Sequence, residues 1–230
     1  MLGENTVPAY KKDFELKYDP EYKLHLRVGS TDSACIKEVY RDYKNMQLQD
    51  KVVMDLGGCF GAFCKFATDA KAKHIHTYEP EPKNLPLLYK NTAELEAVTV
   101  YEKAVINGDA KTIDLYRGGR RGHSMESAST LEIRGREKIT VEACDFKTEL
   151  ERIKPDAVKM DVEGAEYTLL EIQMPECVTE MIVEYHFKRR ALKEKCAELH
   201  AYLLEQNFEA VEAPYLENKN RHGLGLYRRR

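Results

Sequence analysis

Apolar spacing changes along the chain and divides it into elements. Up to about residue 30 the sequence is polar and tyrosine-rich, with weak periodicity. The stretch STDSACIKEVYRDYK opens on three capping residues, Ser30, Thr31 and Asp32. It then sets Ile36, Val39, Tyr40 and Tyr43 at helical spacing, which predicts a helix of about three turns. From Lys51 the pattern alternates. KVVMDL is a short buried run, Ala62 to Ala70 is helical, HIHTYEP is a second strand, Lys83 to Leu95 a second helix and VTVYEKAV a third strand. This βαβαβ order predicts an α/β fold, a parallel sheet covered on both faces.

The alternation lapses between Asn107 and Thr140. KTIDLYR and KITVEAC read as strands around GGRRGHSMESASTLEIRGRE, a Gly-, Ser- and Arg-rich insertion expected near the site. Order returns with PDAVKMD as a strand, Gly164 to Ile172 as a helix, VTEMIVEYHF as a strand and Arg189 to Gln206 as a helix. FEAVEA and the strand near GLGLYRR then suggest a hairpin closing one sheet edge.

Composition narrows the class. With 230 residues, 43% of them hydrophobic, one substantial core can form, and we expect an N-terminal extension (1–48), packing on the core or over the active site, before a single domain (49–230). Thirty-six Lys and Arg against 39 Asp and Glu give −3, so no global field draws nucleic acid or anionic membrane, and neither is expected as a partner. The Arg228, Arg229, Arg230 run reads as a solvated tail. Six cysteines without CxxC or metal spacing read as reduced thiols, and the expected location is cytoplasmic. The N-terminus lacks an apolar leader, and no apolar run approaches the roughly 20 residues of a membrane span. No feature fixes an oligomeric state.

The chemistry concentrates at predicted strand ends. VVMDLGGCFGAF (52–63) runs a strand into Asp55 and a glycine turn, so Asp55, Gly57, Gly58 and Gly61 are expected to face the ligand crevice of a parallel sheet. The GxGxxG dinucleotide spacing fails in either register, and a carboxylate there opposes a pyrophosphate at the helix N-terminus. The ligand should therefore bring a cation and no phosphate, as S-adenosylmethionine does. Glu79, 24 residues on at the second strand end, suits two ribose hydroxyls.

Three motifs in order, VVMDLGGCFGAF, YEPEPKNLPLLYKN (78–91) and DAVKMDVEGAEYTLL (156–170) followed by VEYH (183–186), resemble the FkbM family of S-adenosylmethionine-dependent methyltransferases. The resemblance covers about Gly29 to His186. It implies a Rossmann-like, seven-stranded class I methyltransferase sheet with helices on both faces, and O-methylation, typically of sugar or other natural-product hydroxyls. It also implies that Asp55, Gly57 and Gly61 line the methionine end of the cofactor and Glu79 its ribose. Pro80 shapes the turn under the adenosine, and Asn84 starts the next helix. Lys103, Ala104 and Val105 lie near the adenine, and Ser124 closes over it. Cys59 and Phe60 beside Gly58, Cys64, and the arginine-rich insertion depart from the family pattern and bear on the acceptor more than on the cofactor.

Methyl transfer needs alignment of oxygen, methyl and sulfur, and a group to take the hydroxyl proton. Asp161 ends the KMD strand and should point into the same crevice as Asp55, whereas Glu163 and Glu166 suit the following helix N-terminus. In VEYHF, strand alternation puts Glu184 and His186 on one face and Tyr185 on the other. The base is then His186 or Asp161, with Glu184 orienting the imidazole or contacting substrate. Alternatively, the same three side chains hold a divalent ion such as Mg or Mn, which spacing leaves open. Arg117, Arg120, Arg121 and His123 read as a solvated loop or a grip on a hydroxyl-rich or anionic acceptor. Tyr10, Tyr18 or Tyr22 is a candidate for stacking on a sugar face. Other readings are a methyltransferase for a small metabolite or protein, or a silent cofactor-binding module of a larger glycan-modifying protein. A nicotinamide oxidoreductase is disfavoured by the glycine spacing.

Overall fold

The computed structural model describes residues 14–117, 128–129, 136–187, 190–214 and 222–230. The described chain begins with a hairpin, β1 (Leu16–Asp19) and β2 (Leu24–Arg27), and helix α1 (Asp32–Asp42). Then come β3 (Val52–Leu56), α2 (Ala62–Asp69), β4 (His74–Tyr78), α3 (Leu85–Thr92), β5 (Val98–Tyr101) and β6 (Ala104–Ile106). Strands β7 (Thr112–Arg117), β8 (Ala128–Ser129) and β9 (Lys138–Asp145) lead to α4 (Phe146–Ile153) and β10 (Ala157–Met160). The chain closes with α5 (Glu166–Leu169), β11 (Glu180–His186), α6 (Arg190–Glu205), β12 (Phe208–Glu212) and β13 (His222–Arg229).

The main sheet has seven strands in the order β12-β13-β11-β10-β3-β4-β5. Strands β11, β10, β3, β4 and β5 pair in parallel, and β13 runs antiparallel between β11 and β12. This is the Rossmann-like class I methyltransferase sheet that the motifs imply. The strands that are buried on both faces read as nearly unbroken apolar runs. Met54 and Leu56 join Val158, Met160, Met181 and Val183 in one core layer, with Phe146 and Leu150 of α4 and the apolar side of α6. Val53, Ala157 and Ile182 join the other layer, with Tyr43, Phe63, Phe66 and Leu88.

Four readings change. VTVYEKAV is two strands: Glu79 N–H donates to Tyr101 O at 3.0 Å where the main sheet ends, and after Glu102 and Lys103 the chain leaves it for β6, which pairs with β9. Residues 16–27 form the β1–β2 hairpin, in which Leu24 and Leu26 are fully buried around outward His25. FKTELERI is a further helix, α4, capped by Asp145, whose carboxylate accepts from Thr148 N–H. The helix after DVEG shrinks to the single turn α5. The β12–β13 hairpin closes one sheet edge, as read, with β12 outermost. Among the described residues no helix is long and apolar enough to cross a membrane.

Candidate active site

A cavity of about 290 Å³ opens at the carboxyl ends of β3, β4 and β10. Its floor is the turn after β3. Gly57 and Gly58 both donate their N–H to Tyr78 O at 3.0 Å, which bends the chain sharply. Gly57 sits at φ +91°, and a Cβ there would lie 2.0 Å from the Asp161 carbonyl oxygen, so only glycine fits. Gly58 is glycine for a different reason: a Cβ would meet Thr77 Oγ1 at 2.3 Å. Gly57 lines the cavity, whereas Gly58 packs on β4 and Gly61, the N-cap of α2, packs on α3.

Asp55 corrects the expectation drawn from strand ends. It shares the Val53 side of β3, is 0% exposed and does not line the cavity. Its Oδ2 accepts from Thr77 Oγ1 at 2.7 Å, and its Oδ1 stands 3.2 Å from Lys159 Nζ, without the alignment of a hydrogen bond. Lys159 is the neighbour in register on β10. Its ammonium donates to the carbonyls of Gly57 at 2.7 Å and Leu56 at 3.3 Å. Burial on its own would lower the Lys159 pKa, but the charges of Asp55 and Asp161 outweigh it and raise it. Asp55 and Lys159 thus form a buried pair that props the turn from beneath.

Glu79 and Pro80 line the wall beside β4. Glu79 Oε2 accepts from Cys59 N–H at 2.7 Å and Oε1 from Glu81 N–H at 2.8 Å. Burial pushes its pKa up to about 7 against the lowering effect of these bonds and of the Asn84 amide. Lys103, Ala104 and Val105 form the opposite wall. Asn84 stands behind Glu79 and not in the cavity: it is the N-cap of α3, fully buried, and its Oδ1 accepts from Arg27. Arg117 does not face an acceptor. Its guanidinium grips buried Glu81 at 2.8 Å through Nε and through Nη2, and reaches Glu137 through Nη1 at 2.7 Å. Tyr22 packs on Tyr40, Tyr18 is exposed, and neither lines the cavity. Ser124, Arg120, Arg121, His123 and Tyr10 lie outside the described residues.

At the β10 end the cavity meets charge. Asp161 lines it with a third of its side chain exposed (33%), and Glu163 lines it too. His186, at the end of β11, brings Nε2 to 3.7 Å from Asp161, 3.7 Å from Glu163 and 3.9 Å from Glu184. The parallel β10–β11 pairing creates this juxtaposition. Tyr185 points the other way and bonds Tyr227. The partner behind the imidazole is Glu166, not Glu184. Fully buried Glu166 accepts from Gly164 N–H and from His186 N–H, and its Oε1 lies 3.3 Å from His186 Nδ1.

Burial by itself lowers the His186 pKa, but Glu166, Glu163 and Asp161 outweigh it and push it up to about 10. At neutral pH the ring is an imidazolium and cannot act as the resting base. Glu184 is raised by burial and by Asp161. Among the described residues no three His, Cys, Asp or Glu side chains are grouped to hold a metal ion.

A family model, the methyltransferase FkbM domain, matches residues 55–210. The chain belongs to the FkbM methyltransferase family. Solved structures carry the same fold at low identity. A Pyrococcus horikoshii protein described as a transferase is 14% identical over 95% of this chain and 72% of its own, with a TM-score of 0.54. The P. horikoshii protein TYW2, solved in complex with MeSAdo, is 12% identical over 95% and 72%, with a TM-score of 0.52. A Listeria monocytogenes protein described as an S-adenosylmethionine-dependent methyltransferase is 12% identical over 84% and 99%, with a TM-score of 0.50. No curated protein matches this FkbM methyltransferase.

Sequence reasoning missed Lys159 and Arg27, and gave Glu166 a helix-start role without its contact to His186. Lys159 left a readable signal, a lysine inside the buried run AVKM, which a strand core tolerates only when the charge is paired.

Proposed function

We propose that this FkbM methyltransferase transfers the methyl group of S-adenosylmethionine to a hydroxyl of a sugar-bearing acceptor, releasing S-adenosylhomocysteine. The carrying observation is one cavity with Glu79 on one wall and Asp161 at the other end. Two like-folded proteins, one described as S-adenosylmethionine-dependent and one solved with MeSAdo, support the donor. Glu79 accepts the ribose hydroxyls, Pro80 and the Lys103–Val105 wall flank the adenine, and the Gly57 turn receives the methionine end. The Asp161 and Glu163 carboxylates favour the donor's cationic groups.

In transfer the acceptor oxygen bonds to the methyl carbon as the carbon–sulfur bond breaks, and its electron pair stays on sulfur. The hydroxyl proton goes to Asp161. The His186 imidazolium stands 3.7 Å from Asp161. Glu166 holds the ring, and Glu184 borders the acceptor.

The test is transfer of labelled methyl from S-adenosylmethionine to glycans, hydroxylated small metabolites, proteins and RNA, with mapping of the modified atom. Label on a carbohydrate oxygen is the expected result. Label on nitrogen, on RNA or on protein side chains would replace the acceptor assignment, and a protein that ignores the donor would end the reading.

A further inference from the structure

The family match begins at residue 55, yet the cavity is not built from that domain alone. Thr31, the N-cap of α1, and Cys35, within α1, form part of its wall. We propose that the N-terminal hairpin and α1 belong to the methyl-donor site, with Arg27 as the positioning residue that holds Glu79 in place; this rests on the donor reading above.

Arg27 ends β2 and is 3% exposed. Its guanidinium is split between two tasks. One edge grips fully buried Asp32, with Nε 3.0 Å from Oδ2 and Nη2 2.7 Å from Oδ1, and Arg27 N–H donates to the same carboxylate at 2.8 Å. The other edge reaches the donor loops. Nη1 donates to Asn84 Oδ1 at 2.8 Å, and Nη2 lies 3.9 Å from Cys59 Sγ. Phe60 packs under the same group, 5.8 Å from centroid to Cζ.

These contacts converge on Glu79. Asn84, fixed through its oxygen by Arg27, turns its amide to the Glu79 carboxylate. Cys59, on the other side, donates its N–H to Glu79 Oε2. The guanidinium therefore touches two of the three residues that hold the carboxylate, the third being Glu81, whose N–H donates to Oε1. A second tie runs in parallel: Asn91 exchanges hydrogen bonds with the His25 backbone and donates to Phe60 O at 2.8 Å. A buried ion pair adds little to folding compared with apolar side chains of the same size, so its place at the donor loops points to a positioning role. The planar fork is what lets one cation serve Asp32 and Asn84 together, which a lysine cannot do.

The test measures S-adenosylhomocysteine affinity by calorimetry, and KM for the donor separately from kcat. In one variant Arg27→Met is combined with Asp32→Leu, so that no buried charge is left unpaired. In a second, Asn84→Ala cuts the link and leaves the ion pair. Both are expected to weaken donor binding by about tenfold or more, the size of one hydrogen bond to a charged group. The kcat at saturating donor should stay within about threefold. Combined with Glu79→Gln, neither should weaken binding beyond Glu79→Gln alone.

Folded variants that bind the donor as tightly as wild type, or losses that add fully to that of Glu79→Gln, would overturn the proposal. If the double replacement does not fold, Asn84→Ala decides by the same criteria. A wild-type protein that does not bind S-adenosylhomocysteine would instead overturn the donor reading.

Discussion

Asp55 and Asp161 sit at the ends of neighbouring parallel strands, one step apart in the same sheet, and do opposite things. Asp55 is sealed under the Gly57 turn, with Lys159 against one oxygen and Thr77 on the other. Asp161 stands in the cavity with a third of its surface open. A strand-end carboxylate is thus not a ligand group by position alone. What decides is the strand face it takes and whether a cation on the next strand has already claimed it. Asp55 lies on the face that α2 covers, and Lys159 lies beside it; Asp161 has left the strand, and its nearest cationic groups stand at 3.7 and 3.9 Å.

The contrast breaks most visibly in rate. Asp161→Asn should lower kcat by about 10²- to 10⁴-fold, the usual contribution of a positioned base, read from S-adenosylhomocysteine formation at saturating donor. A full rate in that variant would place the base elsewhere. Asp55→Leu should act on stability, because it takes the nearest carboxylate from buried Lys159 and leaves it only Asp161 at 3.9 Å. Urea unfolding should show a loss of about 3–5 kcal/mol, largely recovered when Lys159→Met is added. If the single change leaves stability intact, the two aspartates are more alike than their surroundings suggest.

Titration sharpens the contrast. Glu79, held near pKa 7 by burial, accepts ribose hydroxyls most strongly, and through both oxygens, when ionised. Donor affinity should therefore fall as pH drops below 7, approaching about tenfold per unit, and Glu79→Gln should flatten the curve.

A further effect on stability concerns His186. Its folded pKa of about 10 lies above the ordinary 6.5, because Glu166, Glu163 and Asp161 outweigh burial. The folded state then holds more protons than the unfolded state across that window. The stability from this group is full below 6.5 and is lost as pH rises towards 10. His186→Gln should show a shallower decline in melting temperature between those limits.

Much of this was legible in the sequence wherever the signal was local. The alternation of apolar runs and helical spacing placed β3, α2, β4, α3, β10 and β11, and the KMD and VEYH strand ends brought Asp161, Glu184 and His186 together. Glu79 was readable because its turn is set by residues adjacent in the chain. The direction of Asp55 was not, since the cation that claims it lies on β10, over a hundred residues away, and joins it only through sheet register. Arg27 was hidden for the same reason, with Asn84 57 positions distant. Glu166 was read as a helix-start residue; it serves the turn at Gly164 and also holds His186 from behind.

The central claim is that the cavity between Glu79 and Asp161 takes the methyl donor. Calorimetric titration with S-adenosylhomocysteine at pH 8 tests it most directly, on wild type, Glu79→Gln and the paired Asp55→Leu, Lys159→Met protein. We predict that wild type and the paired variant bind, and that Glu79→Gln binds at least about tenfold more weakly. Equal binding by Glu79→Gln, or a wild type that takes NAD and ignores S-adenosylhomocysteine, would contradict it.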